Sequence, residues 1–215
     1  METDRRRLLL LATAGCLGWL GACSRKPIRG RRVPAGSTVL AIGDSLTWGT
    51  GATPDTSYPD VLARLTGWQV INAGVAGDTS AQALERKAGL LAEHQPALVL
   101  LCIGGNDLLR RMDEAATRSN LERIARVVLG SGAQLLLIAV PRPTLTARFT
   151  GSLSDHPLYG ELAQRLQLPL HRQGWSEVLA DERLRADAIH ANADGYAQFA
   201  QGLLATLRAT GLLAG

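Results

Sequence analysis

The sequence predicts an α/β domain built on a parallel sheet, and three observations lead there. Residues 97–103 form an uninterrupted apolar run, as expected of a central strand covered on both faces. Similar runs at residues 39–42, 69–72 and 134–140 alternate with stretches of helical period. That alternation is the mark of β–α units, with right-handed crossovers and helices on both faces of the sheet. Finally, turn-forming residues follow successive runs at the same end: Gly43-Asp44-Ser45, Ala73-Gly74 and Gly104-Gly105-Asn106-Asp107.

Each element has its own local reason. Val39-Leu40-Ala41-Ile42 followed by Gly and Asp reads as a buried strand breaking into a turn, with Ser45 at its carboxyl end. Residues 58–65 carry a helical period, and Pro59 sits near the start, where a missing N–H costs nothing. Gln69-Val70-Ile71-Asn72 makes a second strand, after which Asp78 or Thr79 caps a helix running to about His94. The third strand, 97–103, is followed by a helix from about Asp113 to Leu129 and a fourth strand at 134–140. A last helix begins near Asn192. Residues 38–215 thus read as one domain, with neither an internal repeat nor a linker to a second one.

Composition supports a single packed core. Of 215 residues, 46% are hydrophobic and 20% charged, and the chain is long enough to bury a core without staples. Aromatics make up only 4%, so Leu, Val, Ile and Ala must fill that core. The net charge of +4 is concentrated at the N-terminus, in Arg5, Arg6, Arg7, Arg25, Lys26, Arg29, Arg31 and Arg32. The remainder is close to neutral, which argues against nucleic-acid binding, since that wants a basic stripe on the folded domain.

Residues 1–22 read as a leader outside the fold. Arg5-Arg6-Arg7 precedes an apolar run at residues 8–20 that is short for a membrane span. The run ends in Leu20-Gly21-Ala22-Cys23, which resembles a bacterial lipobox, with Cys23 as the lipidated residue. The arginine pair followed by leucines also resembles a twin-arginine export signal. An ordinary secretory signal, or an uncleaved anchor with Cys23 incidental, is the plainer alternative. Cys16 would leave with the leader, so Cys23 and Cys102 remain and no intramolecular disulfide framework is expected. Residues 23–37, rich in Arg and Lys with two prolines and two glycines, read as a basic tether.

The chemistry lies at one end of the strands. Ser45, Gly74 and Asn106 each follow an apolar run, at the sheet edge where open α/β folds bind ligands. Asp187-Ala188-Ile189-His190 precedes the last helix, and an Asp three residues before a His can orient the imidazole within one turn. The carboxylate would accept from Nδ1–H and leave Nε2 free to take the Ser45 proton, which is the Ser-His-Asp logic. The backbone N–H groups of Ser45 and Gly74 and the Asn106 amide can then converge on a developing oxyanion. Individually each residue has a plainer reading, Ser45 as a cap and Asn106 as a turn residue.

Together, Gly43-Asp44-Ser45-Leu46, Gly74, Gly104-Gly105-Asn106-Asp107 and Asp187-Ala188-Ile189-His190 resemble the four signature blocks of the SGNH (GDSL-type) hydrolases. The intervening text, notably Asn72-Ala73-Gly74-Val75-Ala76-Gly77-Asp78-Thr79-Ser80, is most similar to the bacterial periplasmic acyl-thioesterase, lysophospholipase and arylesterase branch. The resemblance spans residues 38–207. It implies a flavodoxin-like three-layer α/β/α sandwich with a central parallel sheet, and no metal or organic cofactor. It also implies Ser45 as nucleophile, His190 as base, Asp187 as its orienter, and Ser45, Gly74 and Asn106 as the oxyanion hole. Ala188 and Ala191 depart from the family's usual Gly and Pro, which touches loop shape and no functional group.

Other readings are weaker. Thr47 stands where the last Gly of G-x-S-x-G would fall, and neither a dinucleotide nor a Walker A glycine pattern follows any strand. Cys102 lies in the most apolar strand and reads as core. His94, His156 and His171 are scattered without ligand spacing and read as surface or loop residues. The expectation is an exported, lipid-anchored, monomeric serine esterase acting on acyl esters or thioesters, aryl esters and lysophospholipids included. Leu145, Phe149 and Leu153 are candidates for an acyl-contacting wall. An O-deacetylase of cell-envelope polysaccharide is the alternative within hydrolases, and a catalytically inactive envelope-binding module the alternative outside them.

Overall fold

The computed structural model describes residues 28–53, 55–143 and 153–214. Among these, five parallel strands form one sheet in the order β2-β1-β3-β4-β5: β1 Thr38–Gly43, β2 Gln69–Gly74, β3 Leu98–Cys102, β4 Gln134–Ile138 and β5 Leu170–His171. Residues 39–42 of β1 and all of β3 are buried on both faces, which is why neither alternates in sequence. The chain builds outward from β1 to β2, then reverses past β1 to β3. The switch point between β1 and β3 opens a crevice beyond their carboxyl ends.

Helices cover both faces, giving the three-layer α/β/α sandwich. They are α1 Ser45–Trp48, α2 Tyr58–Thr66, α3 Ser80–His94, α4 Gly105–Leu109, α5 Glu114–Gly130, α6 Pro157–Leu166, α7 Gly174–Ala180 and α8 Ala193–Ala209. On one face α3 packs on α5; on the other α2 and α7 pack on α8. The caps follow local chemistry. Thr79 and Gln82 form a reciprocal capping box on α3, and Asp113 and Asn192 cap α5 and α8. Gly67, in the left-handed region at φ 70°, ends α2. Under α8, Trp175 stacks on Phe199 with ring centroids 3.8 Å apart, and Trp175 Nε1 donates to Cys102 Sγ at 3.3 Å. Cys102 is therefore core, and burial pushes its thiol pKa up.

Two sequence expectations are corrected here. The basic tether ends earlier than residue 37, because Val33 is buried and residues 30–33 run along the domain. Gly30 N–H donates to Thr210 O, Val33 N–H to Leu212 O and Trp68 Nε1 to Val33 O, while Arg31 exchanges two bonds with the Gln134 side chain. The basic composition concealed one apolar anchor. Secondly, His156 and His171 are buried, not surface residues. His156 caps α6 through Nδ1, and His171 sits on β5 with Nδ1 at 2.8 Å from Thr206 Oγ1 and its ring edge-on to Phe199. Elements β5, α6 and α7 had no counterpart in the sequence reading.

His171 makes the fold acid-sensitive. Burial lowers its pKa from 6.5 to about 4, with Asp155 opposing weakly, and Nε2 has no partner among the described residues. Below pH 6.5 the unfolded chain takes up this proton while the folded one stays neutral, so stability falls as pH drops from about 6.5 to 4. The expected outcome is that His171→Gln, which cannot ionise, flattens this acid limb of the unfolding free energy by about 1–3 kcal/mol. Parallel thermal melts of the two proteins between pH 7 and pH 4 check it.

Candidate active site

The site begins at the carboxyl end of β1, where the chain must turn sharply into α1. Asp44 caps that short helix, its Oδ1 accepting from Leu46 N–H at 3.1 Å, and its carbonyl accepts from Thr47 and Trp48. This presents Ser45 at the crevice. Ser45 Oγ lies 2.9 Å from His190 Nε2, across 145 residues of sequence. His190 Nδ1 lies 2.7 Å from Asp187 Oδ2, and Asp187 Oδ1 accepts from the Ile189 and His190 backbone N–H groups, each at 2.8 Å. The loop holding this pair is closed by an antiparallel bridge between Arg185 and Ala191 and by Ala186 N–H donating to His190 O.

These contacts set the charges. Burial opposes ionisation of Asp187, but the His190 ring and the two backbone N–H groups outweigh it and hold its carboxyl below the usual range. Asp187 is therefore a carboxylate facing Nδ1, which fixes Nδ1 as the protonated nitrogen and Nε2 as the acceptor for the serine hydroxyl. Asp44 is the reverse case. It is fully buried, and desolvation lifts its pKa from 3.8 to about 7 against the Leu46 bond and the attraction of His190.

Ser45 opens on a cleft of about 250 Å³ lined by Asp44, Leu46, Thr50, Ala76, Gly77, Gly105, Asn106, Leu109, Ile189 and His190. Asn106 sits in the first turn of α4 and donates one Nδ2 hydrogen to Asp78 O at 2.9 Å, which leaves the other available to the cleft. Gly77 lies in the turn from Val75 to Asp78, closed by Asp78 N–H donating to Val75 O at 3.0 Å. Its φ of 84° is that of the third position of a type II turn, where glycine is required. No acceptor among the described residues takes the Gly77 N–H.

The structure brings Ser45, His190, Asp187 and Asn106 together, but not Gly74. Strand β2 runs two residues further than its apolar stretch, so Gly74 is still in register with Gly43. Its N–H donates to Asn72 Oδ1 at 3.0 Å and is spent there. A Cβ at Gly74 would lie 2.2 Å from Trp48 N, so this glycine lets α1 close onto β2. Gly77 is the glycine of the β2–α3 connection that reaches the cleft. The signal that could have found it is the turn itself, since a Gly-Asp-Thr leading into a capped helix places its glycine beyond the strand. Leu153 packs, half-buried, against the core and does not line the cleft. Leu145 and Phe149, like Cys23, lie outside the described residues. The larger apolar side chains that do line the cleft are Leu46, Leu109 and Ile189, the last two exposed.

A strand-end serine joined through histidine to a carboxylate, on a parallel α/β/α sandwich, defines a hydrolase of the serine type. Residues 41–198 match the model of the GDSL-like lipase/acylhydrolase family, and the chain belongs to it. It is an ester-bond hydrolase. It is 35% identical over 169 residues to thioesterase 1/protease 1/lysophospholipase L1 of Escherichia coli (strain K12), covering 76% of this chain and 79% of that protein. It is 33% identical over 171 residues to an arylesterase of Vibrio mimicus, covering 76% of this chain and 78% of the relative. The crystal structure of TesA matches with a TM-score of 0.71 at 28% identity, over 80% of this chain and 98% of that one.

The buried Asp44 carboxyl yields a stability test. Its folded pKa of about 7 lies above the unfolded 3.8, so its contribution is present below pH 3.8 and is lost as pH rises through 7. Asp44→Asn keeps an oxygen for Leu46 N–H and cannot ionise. Its melting temperature relative to wild type is expected to rise between pH 4 and pH 8, by on the order of a few kcal/mol in stability. Calorimetry at the two pH values decides it.

Proposed function

We propose that the protein hydrolyses acyl esters or thioesters through an acyl-enzyme on Ser45. The observation that carries this is the hydrogen-bonded chain Ser45 Oγ, His190 Nε2, His190 Nδ1, Asp187 Oδ2, at 2.9 and 2.7 Å. His190 Nε2 takes the hydroxyl proton as Ser45 Oγ attacks the carbonyl carbon, and returns it to the leaving alkoxide or thiolate as that bond breaks. Water then enters, gives its proton to the same nitrogen, and attacks the acyl-enzyme, which releases the acid and restores Ser45. Asp187 stays ionised and stabilises the imidazolium. The carbonyl oxygen, negative in each tetrahedral intermediate, is held by the Ser45 and Gly77 N–H groups and by the free hydrogen of the Asn106 amide.

The cleft is apolar where Leu46, Leu109 and Ile189 line it, which favours an acyl chain over a bare acetyl group. The names of the relatives, thioesterase, lysophospholipase and arylesterase, agree with such substrates. This weighs against an O-deacetylase of envelope polysaccharide. We further propose that residues 1–22 export the chain and that lipidation at Cys23 anchors it to a membrane as a monomer. None of the helices among the described residues is long and apolar enough to cross a membrane, and the leader lies outside them.

Two outcomes test the reading. Ser45→Ala is expected to abolish covalent labelling by a fluorophosphonate, and Asn106→Ala to lower kcat by about 10²–10³ with little change in KM, since its amide acts where charge develops. Wild-type kcat in folded Asn106→Ala would remove Asn106 from the oxyanion hole. On p-nitrophenyl esters from acetate to palmitate, Leu109→Ala and Ile189→Ala are expected to lose roughly three- to tenfold more kcat/KM on octanoate than on acetate, the scale of one or two methylenes leaving an apolar wall. Equal losses at every chain length would move the acyl site elsewhere.

A further inference from the structure

Arg86, in the second turn of α3, contacts none of the reacting groups, yet its guanidinium ties the strand end that precedes Ser45 to both sides of the loop that carries Gly77. Nε donates to Asp78 Oδ2 at 2.8 Å, Nη1 to Ala73 O at 2.6 Å and Nη2 to Gly43 O at 3.0 Å. The acceptors are the carboxyl ends of β1 and β2 and the loop beyond β2. Two of these acceptors adjoin oxyanion donors, and Ala73 fixes the strand end from which the Gly77 loop departs. Gly43 lies two residues before Ser45; Asp78 directly follows Gly77; and Asp78 O receives the Asn106 amide. Asp78 is buried and the Arg86 side chain is 24% exposed, so these bonds are shielded but not sealed in the core.

We propose that Arg86 is the positioning residue of the oxyanion hole, setting the spacing of all three donors through one planar group; this rests on the function proposed above. A guanidinium suits the task because its N–H groups diverge in a fixed plane, which a lysine ammonium on a flexible stem cannot copy. The Asp78 carboxylate completes it. It neutralises the cation beside the cleft, while its own backbone carbonyl turns the Asn106 amide so that one hydrogen faces inward. Loss of the clamp removes none of the bonds among Ser45 Oγ, His190 and Asp187, so nucleophile and base persist while Gly77 and Asn106 shift relative to the Ser45 N–H. A misplacement of about 1 Å in such a site costs on the order of 10² in rate.

The test is a double-mutant cycle on p-nitrophenyl butyrate, with active sites counted by fluorophosphonate labelling taken to completion and folding followed by melting temperature. Arg86→Lys and Arg86→Gln are expected to lower kcat per labelled site roughly 10- to 100-fold, with KM within about threefold of wild type. Combined with Asn106→Ala, either should add little to the loss from Asn106→Ala alone, because both act on one group of donors. Should Arg86→Gln fail to fold, Arg86→Lys and Asp78→Asn carry the same comparison. A normal kcat in folded Arg86→Lys, or losses that simply multiply with Asn106→Ala, overturns the proposal. If Asn106→Ala itself keeps its rate, the oxyanion reading fails first and takes this one with it; if Asn106→Ala is slow and Arg86→Lys is not, only the role of Arg86 falls.

Discussion

The close seating of α1 on the strand ends is the constraint on which the rest of the site depends. Two glycines permit it. A Cβ at Gly43 would lie 2.0 Å from Thr47 Oγ1, and one at Gly74 2.2 Å from Trp48 N. Real Cβ atoms do not come that close to other heavy atoms, and at Gly43 the carbonyl of Cys102 also stands 2.5 Å away, so a larger residue would lift the short helix and carry Ser45 out of reach of His190. Neither glycine is needed for a left-handed turn, and neither touches the cleft. They are spacers, and the 2.9 Å contact between Ser45 and His190 stands on them.

Within this frame two aspartates end up with opposite electrostatic fates. Asp44 adjoins Ser45 in sequence but is wholly enclosed, and desolvation favours its neutral form. Asp187 is half exposed and receives the imidazole and two backbone N–H groups, which keep it charged. The residue next to the serine is thus unsuited to holding a proton-accepting imidazole, whereas the one 142 positions away, reached through the same loop as His190, is suited. Environment, not proximity in sequence, separates them.

Much of this was visible in the sequence because the signals were local. Ser45 and Asn106 follow unbroken apolar runs, and the interval between Asp187 and His190 is one turn. The four long strands and the capped helices were likewise written in period and caps. What failed had non-local causes. Strand β2 continues past Asn72 through Ala73 and Gly74, held by pairing with β1 and not by hydrophobicity, so the glycine at the cleft is Gly77 and not Gly74. Strand β5 is two residues long and exists only because β4 is there to pair with it. His171 is buried where α8 packs over it, and His156 where it caps α6 beside Glu114 of α5, which no periodicity announces. Val33 is one apolar residue in a basic stretch, and its partner Leu212 lies at the far end of the chain.

That pairing has a practical side. Residues 30–33 and 210–212 are stitched together at the amino edge of the sheet, beside Gln134 and Trp68, whereas the cleft opens at the carboxyl edge. Both ends of the described chain therefore leave from the side opposite the serine. A bead, a fusion partner or a surface coupled through either end would sit behind the enzyme, with the cleft facing the solution. The protein is wired for immobilisation with its mouth outward.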